Sequence, residues 1–177
     1  MIGNSPIERA MKLAAISGLK ATLGPALISA SRNRPERHLL AMAAVGEMLL
    51  DKLPFVPSRA RLPLLLPRAY SGYWTAKQSL EQDGIHDPSL AAMGAAVAAG
   101  VAVAAPLVRQ TLRTLLGVHD AAIGLAEDYL ALKVGGDAVG LTMQDLQNIG
   151  TDAFGGMTQG ISPAVEELKK QLLPNHS

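Results

Sequence analysis

The stretch SLAAMGAAVAAGVAVAAPLV, from Ser89 to Val108, decides the fold class of this chain. It carries no charge, and nearly all of its side chains are small and apolar. An α-helix rises about 1.5 Å per residue, so a helix of this length crosses roughly 30 Å, the hydrocarbon thickness of a bilayer. Small residues are also those with which membrane helices pack closely against each other. The stretch therefore predicts an integral membrane protein.

The composition of the 177-residue chain limits how many such helices it can hold. Hydrophobic residues make up 49% and the mean hydropathy is +0.20, which is low for a protein with many membrane spans. We therefore expect few spans, flanked by sizeable polar segments. The net charge of +1 lacks the basic surplus that phosphate binding needs, which argues against a nucleic-acid partner. Because cysteine is absent, disulfides, thiolate metal sites and thiol nucleophiles are excluded.

Two further apolar segments precede the long helix. Residues 11–31 predict a helix that is interrupted near Gly24 and Pro25, with Lys20 in the middle of the segment. Residues 38–50 are apolar but too short to span a bilayer. We expect this second segment to be re-entrant, interfacial or packed inside a bundle.

Charge and proline placement suggest a membrane topology. Four prolines between residues 51 and 68 argue against a regular helix there, and the aromatic cluster at 70–74 is a natural headgroup-level anchor. Arginine-rich segments favour the cytoplasmic side, whereas the loop at 81–87 is acidic. The helix at 89–108 is therefore expected to run from the outside to the inside.

The chain divides into a helical part and a polar part. Residues 1–136 predict a compact all-α membrane domain with short or re-entrant helices. Residues 137–177 predict a polar, Gly-rich tail with a short C-terminal helix that begins at Ser162 and Pro163.

An offset of 81 residues superposes two halves of the helical part, about 11–53 and 92–134. It places Pro25 on Pro106, Arg32 on Arg113, His38 on His119, Ala41 on Ala122, Leu49 on Leu130, Lys52 on Lys133 and Glu47 on Asp128. Membrane proteins often duplicate helix pairs and place their site where the repeats meet. The alternative is two similar Ala-rich helices whose charges coincide.

Acidic and basic residues inside the apolar segments are the candidates for a polar centre. Ionisable groups in such segments are costly unless they are paired or face a wet cavity. The predicted centre, which would serve a proton, a cation or a polar solute, comprises Glu47, Asp51, Glu127 and Asp128 with Lys52 and Lys133 as counter-charges. The alternative is that these charges lie at the membrane surface or form structural pairs.

Small residues recur at every fourth position of the long helix, at Ala92, Ala96, Gly100 and Ala104. Such a stripe allows close helix contact, either with another helix of this chain, such as residues 14–30, or with a second copy. The sequence contains no G-x-S-x-G motif, no nucleotide-binding glycine loop and no metal-ligand spacing. We therefore expect no enzyme activity, no cofactor and no metal site.

Several strings resemble a known family. G-L-K-A-T-L-G-P-A at 18–26, G-E-M-L-L-D-K-L-P-F-V-P-S-R at 46–59, S-G at 71–72 and A-E-D-Y-L-A at 126–131 are similar to small prokaryotic integral membrane proteins classed as a domain of unknown function. The resemblance covers roughly residues 11–134. It implies a location in the prokaryotic inner (cytoplasmic) membrane, with no established activity. Its signature positions here would be Glu47, Asp51, Lys52, Pro54, Pro57, Arg59, Glu127 and Asp128, and Arg59 joins the candidate polar centre through this match.

The leading functional hypothesis is a non-enzymatic membrane protein that transports or admits a small solute or an ion, with the lipid bilayer as its environment. One alternative is a structural subunit that packs with itself or with other membrane subunits. The other alternative is a soluble Ala-rich helical bundle.

Overall fold

Seven helices and no strand occur in residues 5–50 and 62–155, which are the parts of the chain that the structure, a computed structural model, describes. The all-α prediction is confirmed for these residues. In chain order the helices are α1 (Pro6–Leu19), α2 (Leu23–Ser31), α3 (Arg37–Leu50), α4 (Leu62–Gln82), α5 (Pro88–Leu116), α6 (Asp120–Val139) and α7 (143–155).

The centre of the bundle is the contact between α1, α4 and α5, which pack more extensively than any other described helices. The backbones approach closely because small residues meet there. A Cβ built on Gly72 of α4 would collide with Ala98 of α5 and would lie 2.7 Å from the carbonyl oxygen of Gly94. Glycine is therefore required at this crossing by lack of space.

The buried face of α5 is not the predicted one. Ala92, Ala96, Gly100 and Ala104 are all exposed in the described part of the chain. The face that packs against α1 and α4 instead carries Ala91, Gly94, Ala98 and Ala102. The expectation that the predicted stripe contacts another helix of this chain is therefore wrong for the described helices. Small residues occur on every side of α5, so spacing alone did not identify the packed face.

The interruption of the first apolar segment lies at residues 20–22, earlier than predicted. Pro25 falls in the first turn of α2, where a missing backbone N–H costs no helical hydrogen bond. The chain also reverses direction at the break. Arg9 near the start of α1 pairs with Asp83, and Arg32 at the end of α2 donates a hydrogen bond to Gln78, so both ends of the α1–α2 hairpin lie beside the end of α4.

The expectation that prolines exclude a regular helix is wrong for residues 62–68. Pro63 lies in the first turn of α4, and Pro67 lies inside the helix. Pro67 removes only the hydrogen bond to the carbonyl of residue 63, a local loss that the rest of a 21-residue helix tolerates. Residues 51–61, which hold the other two prolines, lie outside the described residues.

The predicted boundary at residue 136 and the loose tail after it do not match the structure up to residue 155. α6 continues to Val139 and ends at Gly140, whose φ of +75° is the left-handed conformation of a helix C-cap. Helix α7 then begins with a reciprocal cap, in which the Thr142 N–H donates to Asp145 Oδ2 (2.8 Å) and the Asp145 N–H donates to Thr142 Oγ1 (3.2 Å). Ala153 of α7 is buried. The helix predicted from Ser162 lies outside the described residues.

The internal repeat is not confirmed. Pro25 lies in the first turn of the nine-residue α2, whereas Pro106, its partner in the offset, lies inside the 29-residue α5. The two proline-containing segments therefore have different local structures.

By length and composition, α5 is the one helix among the described residues that could cross a membrane. The most apolar 18-residue stretch of this helix, which we call its apolar window, lies within Pro88–Leu115 and has a mean hydropathy of 2.0. Only 22% of that window is buried in the bundle. This is weak evidence for a membrane location, because core helices of soluble proteins meet the same length and composition test.

Asp87 caps the N-terminus of α5 and makes its stability depend on pH. The Asp87 carboxylate accepts hydrogen bonds from the Ser89 N–H (2.8 Å) and Oγ (2.6 Å), which hold the pKa of Asp87 below its usual value. A lowered pKa in the folded state gives stability that is present above the unfolded pKa and is lost as the pH falls through the folded pKa. The Asp87→Asn variant can still cap the helix, but it has no carboxylate to protonate. We therefore expect it to lack the loss of stability that Asp87 causes in the wild type as the pH falls below about 4. Thermal unfolding followed by circular dichroism across pH checks this, and an identical pH dependence in both proteins would contradict it.

Candidate functional site

Two backbone N–H groups at the break between α1 and α2 bind a carboxylate from α3. The Ala21 N–H donates to Glu47 Oε1 (2.9 Å), and the Thr22 N–H donates to Glu47 Oε2 (3.0 Å). The Thr22 hydroxyl also donates to Oε2 (2.8 Å). The start of a helix carries free N–H groups and a partial positive charge, so a carboxylate is the favourable partner. Glu47 thus caps α2 from another helix.

Helix α4 contributes a cation and a hydroxyl to the same place. Arg68 Nη2 donates to Glu47 Oε1 (2.9 Å), and the Arg68 side chain is buried. The Ser71 hydroxyl donates to the carbonyl oxygen of Ala21. The Glu47 carboxylate therefore neutralises the buried Arg68 guanidinium and also binds the backbone N–H groups between α1 and α2.

The side chain of Lys20 pairs with α6 on the other side of the break. Its Nζ lies 3.0 Å from Asp128 Oδ1, and the residue is only 1% exposed, which makes it the largest fully buried side chain among the described residues. Asp128 is buried as well. An unpaired charge at such a depth would cost several kcal/mol, at an order-of-magnitude estimate, so the pairing is what allows Lys20 to be there.

Lys20, Glu47, Arg68 and Asp128 together form what we call the polar layer, whose formal charge is zero. It lies partway along the bundle and away from its ends. Gly18 next to the break packs against Ala98 of α5, about 15 Å along the axis from the start of that helix. This distance is half of the roughly 30 Å hydrocarbon thickness of a bilayer.

The structure brings two of the predicted polar-centre residues into this layer and leaves others out. Glu47 and Asp128 belong to it, in two separate ion pairs. Glu127 instead lies 3.9 Å from Nη1 of Arg109. The half-exposed Lys133 pairs with Asp137 (3.4 Å), so its predicted role as a counter-charge to the buried acids is wrong. Asp51, Lys52 and Arg59 lie outside the described residues.

Lys20 and Arg68 are the members of the layer that the sequence prediction missed. Lys20 was visible as a lone charge in the middle of an apolar segment, the same signal that identified the acids. Arg68 carried no such signal, because it follows a run of arginines and prolines that are typical of a membrane surface.

An apolar crevice of about 360 Å³ lies beside the layer, between α5 and α6. Arg109 lies in its wall and is held by Asp120, whose Oδ1 is 2.9 Å from Arg109 Nε. Leu19 and Glu127 also line the crevice. These two residues are the chain neighbours of Lys20 and Asp128, which do not themselves line the crevice.

Among the described residues, no group of three or more histidine, cysteine, aspartate or glutamate side chains lies close enough together to hold a metal ion. The polar layer pairs each acid with a basic side chain. Its chemistry is therefore that of ion pairs and hydrogen bonds, which can bind polar groups or move protons.

Comparison with protein-family models, with curated proteins and with solved structures finds no match to this chain. The resemblance to a family of small prokaryotic membrane proteins stays a prediction.

Proposed function

We propose that this chain is an integral membrane protein that lets a small polar solute or an ion pass at its polar layer. The observation that carries the proposal is the position of this layer. Lys20, Arg68 and Asp128 are buried and Glu47 is partly buried, about halfway across the thickness that the apolar part of α5 would span. In membrane proteins, buried charges at that depth commonly mark a solute or ion pathway.

The surface of α5 and α6 supports a membrane environment. A core helix of a soluble protein is mostly buried, whereas 22% of the apolar window of α5 is buried here. Large apolar side chains on its outer face, such as Val103, Leu107 and Val108, are exposed, and Leu125 and Leu130 of α6 are exposed as well. Water disfavours so much exposed apolar surface, while lipid accommodates it.

The broken helix supports the passage of a solute. Transporters commonly build their sites from discontinuous helices, whose free backbone groups and helix ends face the substrate. The α1–α2 hairpin has this form, because both of its ends lie at one end of the bundle and its tip lies in the polar layer. Within a bilayer the hairpin would be re-entrant, and its non-helical backbone would be tolerated because Glu47 and Ser71 bind backbone groups of the break.

A structural subunit is the second candidate, and the outward stripe of α5 favours it. Ala92, Ala96, Gly100 and Ala104 are exposed, and a Cβ on Gly100 would meet nothing within 4 Å. A stripe of this kind lets a helix of another membrane subunit, or of a second copy, approach closely.

The first test is membrane integration. We expect the expressed chain to remain in the membrane pellet after a carbonate wash and to require detergent for extraction, because the exposed face of α5 is apolar. Release by the wash, or recovery in the supernatant, would contradict the proposal and favour the soluble helical bundle.

The second test is permeability of reconstituted vesicles to protons, potassium, sodium, urea and glycerol. We expect at least one of them to pass faster than in empty vesicles, and Asp128→Asn to slow that flux. Asp137→Asn is the matched control, since it removes an exposed acid from the same helix. Size-exclusion chromatography of both variants checks that they fold. If none of the five passes, the structural-subunit candidate gains.

A further inference from the structure

We propose that α3 and α7 form a binding site for an anionic phospholipid, with an acyl chain in the groove between the two helices and the phosphate beside Arg37. This inference rests on the membrane location in the proposed function, but it concerns a different surface from the polar layer. The groove, which we call the outer groove, has a volume of about 340 Å³. Its walls include Leu39, Met42, Gly46 and Leu49 of α3 with Ala153 and Phe154 of α7.

The outer groove is apolar and open. Every residue that lines it is apolar, and Leu39, Leu49 and Phe154 are each more than half exposed. The opposite side of α3 packs against α2, so the groove lies on the outward side of that helix. A continuous exposed apolar surface marks a place where a partner molecule or lipid covers the protein.

The length of the groove matches one leaflet of a bilayer. The rise of α3 from Leu39 to Leu49 is about 15 Å, half of the roughly 30 Å hydrocarbon thickness. Helix α3 begins at the end of the bundle, just after the place where Arg32 bonds to Gln78. Near its other end, Glu47 lies in the polar layer, halfway across. The groove therefore runs from the surface to the middle, as an acyl chain of one leaflet does.

A cation without an acid partner lies where the groove begins. The Arg37 Nε donates to His38 Nε2 (3.0 Å), and no acid among residues 5–50 and 62–155 lies within ion-pair distance of Arg37. Glu36, its neighbour in the chain, instead lies 3.6 Å from Arg34. A guanidinium binds a phosphate through parallel hydrogen bonds, so an anionic headgroup is the complementary partner of Arg37.

The start of α3 adds to this preference for an anion. The first turn of α3 contains no acidic residue, so no carboxylate within that turn offsets the partial positive charge of the helix end. The site therefore combines a positive end with an apolar groove as long as an acyl chain. A phospholipid has both complementary parts in one molecule, whereas a free anion or an apolar helix has only one of them.

The test is native mass spectrometry of the full-length chain in detergent, with dioleoylphosphatidylglycerol or dioleoylphosphatidylcholine added. We expect the anionic lipid to bind at least about tenfold more tightly, which is the effect of one charge-assisted hydrogen bond. Inorganic phosphate should not displace it, because phosphate has no acyl chain to fill the groove.

Two variants test the two parts of the site. Arg37→Gln should remove the preference for phosphatidylglycerol, and Arg113→Gln is its control, because Arg113 is an exposed arginine in the last turn of α5. Gly46→Phe should fill the groove and weaken the binding of both lipids. A Cβ at Gly46 meets nothing within 4 Å, so the fold has room for the new side chain. Gly100→Phe is its control, since Gly100 is equally open but lies on α5. Thermal unfolding checks that all four variants fold.

Equal affinity of the wild type for the two lipids, or displacement by phosphate, would overturn the inference. Unchanged lipid binding by Arg37→Gln or by Gly46→Phe would also overturn it, because the headgroup or the chain would then bind elsewhere. A mass of two chains without lipid would show that a second copy covers the groove. If solutes pass but the lipid preference is absent, this inference alone fails. If the lipid binds as expected and no solute passes, only the permeation proposal fails. If the chain washes off membranes, both fail.

Discussion

Replacing Glu47 by alanine should destabilise the fold by about 3 kcal/mol, the lower end of the cost of removing one partner from a buried ion pair, because Arg68 is buried and Glu47 is partly buried. The Arg68 guanidinium would keep its charge in a buried place without the carboxylate that neutralises it. The N–H groups of Ala21 and Thr22 would lose their acceptors at the same time. Since the same side chain supports α2, α3 and α4, we expect the effect to spread beyond the break.

Unfolding in detergent, followed by circular dichroism, measures this effect. Glu36→Ala is the control, because Glu36 lies just before α3 and makes an exposed, 3.6 Å contact with Arg34. We expect that variant to change stability by about 1 kcal/mol or less. Adding Arg68→Met to Glu47→Ala should recover part of the loss, since no buried charge then remains unpaired. Equal effects of Glu47→Ala and Glu36→Ala would contradict the role of Glu47 as a cap and counter-ion.

Gly94→Val should separate α5 from α4 and α1 and destabilise the bundle by at least about 3 kcal/mol, the upper part of the range for overpacked cores. A Cβ at Gly94 would collide with Ala76 and would lie 2.9 Å from the carbonyl oxygen of Gly72. A methyl group can move aside, but the backbone of a neighbouring helix cannot do so without moving the helix.

Gly100→Val is the matched control on the same helix. Gly100 is exposed, and a Cβ there has nothing within 4 Å. We expect this variant to unfold at nearly the wild-type denaturant concentration. If valine at residue 100 destabilises the isolated chain as much as valine at residue 94, the assignment of the packed face of α5 is wrong. A loss of association with unchanged monomer stability would instead support the structural-subunit candidate.

The sequence predicted those features that depend on residues close together in the chain. The uncharged run at 89–108 predicts a long helix, because only Pro106, near the end of the run, interrupts the hydrogen-bond ladder. Glu47 and Asp128 could be singled out because a carboxylate in an apolar segment needs a partner, whatever that partner is. The cap of α7 was also readable, from Thr142 followed three residues later by Asp145, although the surrounding glycines hid it.

Only the tertiary structure decided which residues meet. Arg68 is 21 positions from Glu47, and Lys20 is more than a hundred from Asp128, so no local pattern could pair them. The sequence also did not determine which face of α5 packs, since α5 carries small residues on every side. The packed face is the one that lies against Gly18 of α1 and Gly72 of α4. The sequence by itself thus determined that this chain is helical and that it buries charge. How those charges neutralise each other depends on packing between distant helices, because an ion pair is set by distance in space.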